Sequence, residues 1–121
     1  MELTINGQVY SFKFNFGFLQ ALNKTVMIPV DGIKGVTKPG GLGLSIASLY
    51  SGDVEELVNV LDFANKGQEP RVTRNTLIEY IDSPETDIDK LFDTVLDFLA
   101  RSNATKKLTL QIKAEVERQT T

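Results

Sequence analysis

The chain has no cysteine, no histidine and no tryptophan. Without cysteine there is no disulfide, no thiol nucleophile and no thiolate metal site. Without histidine the commonest proton shuttle and metal ligand is missing, so a serine nucleophile would need lysine or a carboxylate as its base. No serine lies in the G-x-S-x-G setting of a strained nucleophile elbow. No apolar run approaches the ~18 residues needed to span a bilayer, and the start, MELTINGQ, lacks the basic and apolar regions of a signal peptide. Surplus positive charge is absent too: the net charge is −3, whereas a nucleic-acid binder needs a cationic face to displace phosphate counterions. These absences point to a non-enzymatic protein of a reducing, cytoplasmic compartment, with no cofactor, nucleic acid or membrane as partner.

What remains is ordinary globular material, 121 residues with 41% hydrophobic and 24% charged side chains, enough for one domain with a sizeable core. The best-punctuated stretch is 52–73, GDVEELVNVLDFANKGQEPRVT. Asp53 is placed to cap a helix, and Glu56 stands where the reciprocal partner of a capping box belongs. Val54, Leu57, Val58, Leu61 and Ala64 recur at helical spacing, and Val60 and Phe63 widen the stripe. Gly67 ends the helix, Pro70 prevents its continuation, and Thr73 is set to cap the next. Nothing in this stretch is chemically reactive; it reads as scaffold.

Ahead of it, Leu3 and Ile5 alternate with polar residues, Asn6-Gly7 intervenes, and Val9, Tyr10, Phe12 and Phe14 follow. Asn-Gly between alternating runs predicts a two-residue hairpin turn with positive φ at both positions. The aromatic face of the hairpin, spanning 2–14, must pack on helices or on another chain, since an isolated hairpin is marginal in water. Asn15 is expected to cap a helix over 16–25, with Phe18, Leu19, Leu22 and Val26 on one side. Residues 29–43, with two prolines and five glycines from Ile28 to Gly43, read as a long loop of the kind that is usually functional or mobile. A short helix is expected over 44–50, its small residues Ser45, Ala47 and Ser48 permitting close approach.

Beyond Thr73 a nine-residue helix should turn Leu77, Ile78 and Ile81 inward and stop at Asp82-Ser83-Pro84. Thr86 with Asp89 resembles a capping box that opens a helix to about Ser102, striped by Ile88, Leu91, Phe92, Val95, Phe98 and Leu99. Asp89, Asp93 and Asp97 repeat on its opposite side. Carboxylates four apart on one exposed helix side do not converge on a metal ion, so the row reads as a solvated face or a docking surface for a basic segment. The glycines of Pro39-Gly40-Gly41-Leu42-Gly43 lack the lysine and Ser/Thr that complete a phosphate loop. Residues 104–121 carry Lys106, Lys107, Lys113 and Arg118 against Glu115 and Glu117. They form either a last helix with a thin stripe of Leu108, Ile112 and Val116, or a partly ordered arm that folds on a partner. The expectation is an α+β domain, mostly α-helical, with an N-terminal β-hairpin followed by five to six helices packed as a small bundle over 1–103 and that C-terminal segment behind it.

Four stretches carry a resemblance: MELTINGQVYSFKFNFGFL, IPVDGIKGV, the central GDVEELVNVLDFANKGQEPRVT and TDIDKLFDTVLDFLARSNATKK. In that order and spacing the chain, from Met1 to Lys107, resembles the tail assembly chaperones of long-tailed phages and prophages of Gram-positive bacteria. No single motif is diagnostic; the combination is. The resemblance implies a protein of the bacterial host's cytoplasm that binds the tape measure protein, keeps its apolar helical segments soluble, helps recruit major tail tube subunits and leaves before the virion is finished. In many such phages a ribosomal frameshift near the gene's end makes a longer product. It implies no catalytic residues. The apolar positions available to a client are Pro29, Ile33 and Val36 in the loop and Leu108, Ile112 and Val116 on the last helix, surfaces that also favour a homo-oligomer. The alternative from another class is a structural tail completion or connector protein retained in the virion.

Overall fold

The computed structural model describes residues 1–119. Strands β1 (Glu2–Ile5) and β2 (Gln8–Ser11) form an antiparallel hairpin. Its turn is the expected one, with φ of 53° at Asn6 and 77° at Gly7 and Ile5 opposite Gln8. The ladder stops at Ser11, short of the predicted 14, because the next backbone donor has a different partner. Phe12 N–H still reaches Met1 O (2.8 Å), but Lys13 N–H bonds to Ala64 O (2.8 Å) near the end of the central helix. That switch drives Phe12 and Phe14 into the interior, where both are buried and Phe14 meets Phe18 edge-to-face at 5.2 Å. The hairpin's aromatic face packs on helices.

Helix α1 (Phe16–Asn23) is capped by Asn15, whose side chain accepts from Phe18 N–H. It ends two residues earlier than the pattern suggested. The Thr25 hydroxyl turns back onto Leu22 O (2.7 Å), and the chain leaves as a second antiparallel ribbon, β3 (Met27–Pro29) with β4 (Thr37–Pro39). Val26, expected on the helix stripe, is therefore exposed. Part of the loop predicted over 29–43 is ordered strand, and its end is helix: α2 runs Gly41–Tyr50, starting three residues before the expected 44. The reason is close approach. A Cβ on Gly41 would lie 2.0 Å from Leu22 O, so only glycine lets the first turn of α2 press against the end of α1.

Helix α3 (Val54–Asn65) packs on α1, α2 and α4, with Leu57, Val58, Val60, Leu61 and Ala64 buried and Val54 exposed at the first turn. Asp53 caps it through Glu56 N–H (3.0 Å). The predicted reciprocal bond from the Glu56 side chain does not form. Glu56 Oε1 accepts instead from the hydroxyl of buried Ser45 (2.6 Å), tying α3 to α2, while Oε2 accepts from Asn59. Helix α4 (Arg74–Asp82) is capped by Thr73 and buries Leu77, but Ile78 is exposed. Helix α5 (Ile88–Arg101) starts one residue later than the capping-box reading placed it. Asp87, a stronger acceptor than Thr86, caps Lys90 N–H (3.1 Å), and the Thr86 hydroxyl donates to Tyr80 O at the end of α4. Its stripe faces the core and Asp89, Asp93 and Asp97 face water.

Helix α6 (Lys106–Gln119) packs on α2 and α5. Thr105 and Thr109, residues that lower helix propensity, are fully buried at this seam. Their hydroxyls donate to Leu99 O (2.7 Å) and Thr105 O (2.8 Å), so no polar group is stranded. Of the expected C-terminal segment, Thr120 and Thr121 lie outside the described residues. The fold is thus an N-terminal two-stranded hairpin followed by six helices, with one core of Phe12, Phe14, Phe18, Leu22, Ile46, Leu57, Leu61, Leu77, Val95 and Leu99 among its members.

One polar residue holds the scaffold together. Asn65 is fully buried at the end of α3. Its Nδ2 donates to Ser11 O (2.9 Å) and Pro70 O (3.4 Å), and its Oδ1 accepts from Val72 N–H (2.7 Å) and Arg71 (2.8 Å). Arg71 in turn pairs with Asp62 at 2.9 Å. The hairpin, α3 and the turn leading to α4 therefore meet on a single amide.

Candidate functional site

The ribbon is sparsely covered. Between Lys24 and Pro39 only Ile28 and Val30 are even half-buried, while Val26, Met27, Ile33 and Val36 stand in solvent. Bonds from Val30 N–H to Val36 O and from Gly40 N–H to Val26 O (both 2.9 Å) fix which residues face the partner strand. Positions 27, 29, 37 and 39 therefore point their backbone groups outward. Pro29 and Pro39 occupy one such position on each edge, so both edges lack a donor that a strand from another chain would use. The ribbon presents its faces, not its edges.

One face turns to the body. Ile28 lies against Gly40, where a Cβ would meet its side chain at 2.6 Å. Beside it opens an apolar groove of about 370 Å³ whose walls are Ile28, Leu44, Ala47, Ile112 and Val116 and whose floor includes Gly40 and Gly43, with Glu115 and Gln119 at the rim. Leu44 on α2 is about half exposed. Leu108, one turn before Ile112, sits over Gly43 and packs on the core.

Of the apolar positions singled out from the sequence, only those of α6 reach the groove, and the loop set lies elsewhere on the ribbon. Ile112 and Val116 line the groove directly, and Leu108 supports its α6 wall. Pro29, Ile33 and Val36 are on the ribbon whose Ile28 forms the opposite wall: Pro29 on the outward face, Ile33 at the exposed tip, Val36 beside Lys38 toward the strand's start. Residues missed by sequence reasoning are Met27, Ile28 and Leu44. The signal for Leu44 was its place in the first turns of α2, hidden by reading the glycines before it as loop.

A larger hollow of about 630 Å³ lies among Phe14, exposed Phe16, Phe98 and Lys13. A smaller one, about 280 Å³, lies between Tyr50, Leu96, Asp93, Asp97 and Lys113. Burial raises the Tyr50 phenol above its ordinary range, and the Glu117 carboxylate adds to the rise. Among the described residues no group of acidic side chains could hold a metal ion, and no helix is long and apolar enough to cross a membrane.

Fold and surface together define a small helical scaffold with exposed apolar side chains beside an apolar groove. The family model described as phage tail assembly chaperone protein matches residues 2–113. The chain belongs to that family. No curated protein and no solved structure matches it.

Proposed function

We propose that this chaperone binds the tape measure protein in the cytoplasm of the bacterial host, covering apolar helical segments of that client until the tail tube encloses them. One observation carries the reading: the ribbon exposes the apolar side chains Met27, Ile33 and Val36, and its Ile28 walls a groove together with Leu44, Ile112 and Val116. Contiguous exposed apolar surface on a small domain marks an interaction site. The blunted ribbon edges favour a helical client over an extended one, because a helix brings its own backbone bonds and needs only a face to lie on. Pro29, Ile33, Val36, Leu108, Ile112 and Val116 are the client-contacting or client-supporting positions in this reading. Binding is reversible and involves no covalent step, and recruitment of the major tail tube protein follows from holding the client in an extended, soluble form.

Co-expression tests it. The tape measure protein is produced alone and with the chaperone, and its soluble fraction is measured after centrifugation. The reading predicts a shift from pellet to supernatant and co-purification of the two chains. A client that stays equally insoluble with the chaperone present shows the reading to be wrong.

A further inference from the structure

The apolar groove has a polar neighbour. A second hollow, of about 270 Å³, opens between the end of α1, α2 and α3. Leu44 lines both hollows, and Val26, at the foot of the ribbon, borders the second as Ile28 borders the groove. Leu22 and Phe63 complete its apolar walls, and the charged residue in its lining is half-buried Glu56. The Glu56 carboxylate accepts from the Ser45 hydroxyl (2.6 Å) and from Asn59 Nδ2 (3.2 Å), so neutral donors take two of its roughly four lone-pair sites. Among the described residues no cation pairs with it. Lys66 is engaged elsewhere, over the Phe63 ring at 3.9 Å. The partial positive charge at the start of α3 is already shared with Asp53 and Glu55. At the groove's rim, by contrast, Glu115 is paired with Arg118.

We infer that this hollow receives a lysine or arginine side chain of the client, carried beside the apolar stripe that lies in the groove. The inference rests on the proposed function and adds the chemistry by which a client helix is chosen and oriented. A long cationic side chain fits both parts of the hollow: its methylene stem lies along Val26, Leu44 and Phe63, and its head meets Glu56. The Thr25 oxygen, whose proton is committed to Leu22 O (2.7 Å), is a further acceptor in the same lining. A neutral client side chain would cover the carboxylate without supplying a counter-charge, and an acidic one would repel it. Apolar area alone holds an apolar helix in any register. One charge pair on a fixed side of Leu44 selects helices with a cation next to the stripe and sets the way they lie.

Binding of a defined client fragment tests it. The probe is the fragment of the tape measure protein that stays protected from proteolysis in the co-expressed complex, and its affinity for the full-length chaperone is read by fluorescence anisotropy. Glu56→Gln keeps an oxygen for the Ser45 hydroxyl but carries no charge. It should weaken binding about tenfold at ~0.01 M ionic strength, the order of a hydrogen bond to a charged group, and much less at ~1 M, where charges act over only ~3 Å. Glu55→Gln removes the same charge from an exposed neighbour and should stay within about twofold of the wild type. Changing the fragment's lysine or arginine to glutamine should weaken the wild type as much as Glu56→Gln does, and should leave the Glu56→Gln chaperone indifferent. Circular dichroism checks that Glu56→Gln is folded; if it is not, the fragment's substitution against the wild type decides alone. A fragment without a cation beside its apolar stripe overturns the inference and leaves the proposed function standing. Equal losses in Glu55→Gln and Glu56→Gln do the same, as does a loss that is independent of the fragment's cation. A wild type that forms no complex with the client overturns the proposed function and this inference with it.

Discussion

Replacing Asn65 by alanine removes a side chain whose hydrogen bonds join β2, α3 and the turn into α4 at once. The loss can be worked from its bonds. Val72 N–H is buried and its bond to Asn65 Oδ1 is short, 2.7 Å; Ser11 O receives Nδ2 at 2.9 Å. Each buried group left unsatisfied costs about 1–3 kcal/mol. The longer contact to Pro70 O, 3.4 Å, adds little, and the Arg71 bond can be replaced by water because Arg71 is exposed. Alanine regains roughly 0.5 kcal/mol of helix propensity. The net is a loss of about 2–5 kcal/mol, a large part of the 5–15 kcal/mol typical of a domain. With a urea slope of about 1.5 kcal/mol per M, a 3 kcal/mol loss lowers the unfolding midpoint by about 2 M. Arg71→Ala is the control. Its ion pair with Asp62 is partly exposed, so it should cost about 1 kcal/mol or less. Equal midpoints for the two variants would refute the claim that the buried amide, and not the surface pair, joins hairpin to scaffold.

Other expectations follow from the same packing. Leu61→Ala, at a fully buried position of α3, should cost about 2–5 kcal/mol in the same urea titration; near-neutral stability with lost client binding would make α3 a working surface instead of core. Gly41→Ala places a methyl 2.0 Å from the Leu22 carbonyl, and forcing α2 off α1 should cost about 1–3 kcal/mol or more, read as a lowered melting temperature. Gly35→Ala meets no neighbour but has φ of +82°, so it should cost about 1 kcal/mol through backbone strain alone. Mass spectrometry of finished particles should find no copies of this chain; stoichiometric copies would favour a retained completion or connector protein.

Much of the fold was legible because its punctuation is local. Asn6-Gly7, Asn15, Asp53 and Thr73 act within three residues of themselves, and each does what its residue type predicts. Errors arose where a local signal competed with a distant partner. Glu56 sits at the capping-box position but is taken by Ser45, eleven residues away. Thr86 looked like a cap because the bond of its hydroxyl to Tyr80 O could not be foreseen. Gly41 reads as loop until the Leu22 carbonyl beside it is known. Asn65 gave no signal at all, since its four partners come from both sides of the chain. The candidate site was legible only in pieces. Apolar residues at 33 and 36 and the stripe at 108, 112 and 116 are visible in the sequence, but that Ile112 and Val116 form a groove with Ile28 and Leu44 depends on how α6 lies across α2.

The central claim is that this groove and ribbon hold the client while the core only holds the groove. The most direct test is the soluble yield of the tape measure protein co-expressed with wild-type chaperone and with a variant carrying Ile33→Ser, Val36→Ser and Val116→Ser. The first two side chains are exposed and the third is half-buried. The exposed pair should change stability by no more than about 0.5 kcal/mol each, and a thermal melt of the variant alone verifies that it is folded. The account predicts a folded variant that leaves the client in the pellet. A folded variant that solubilises the client as well as the wild type does would contradict it.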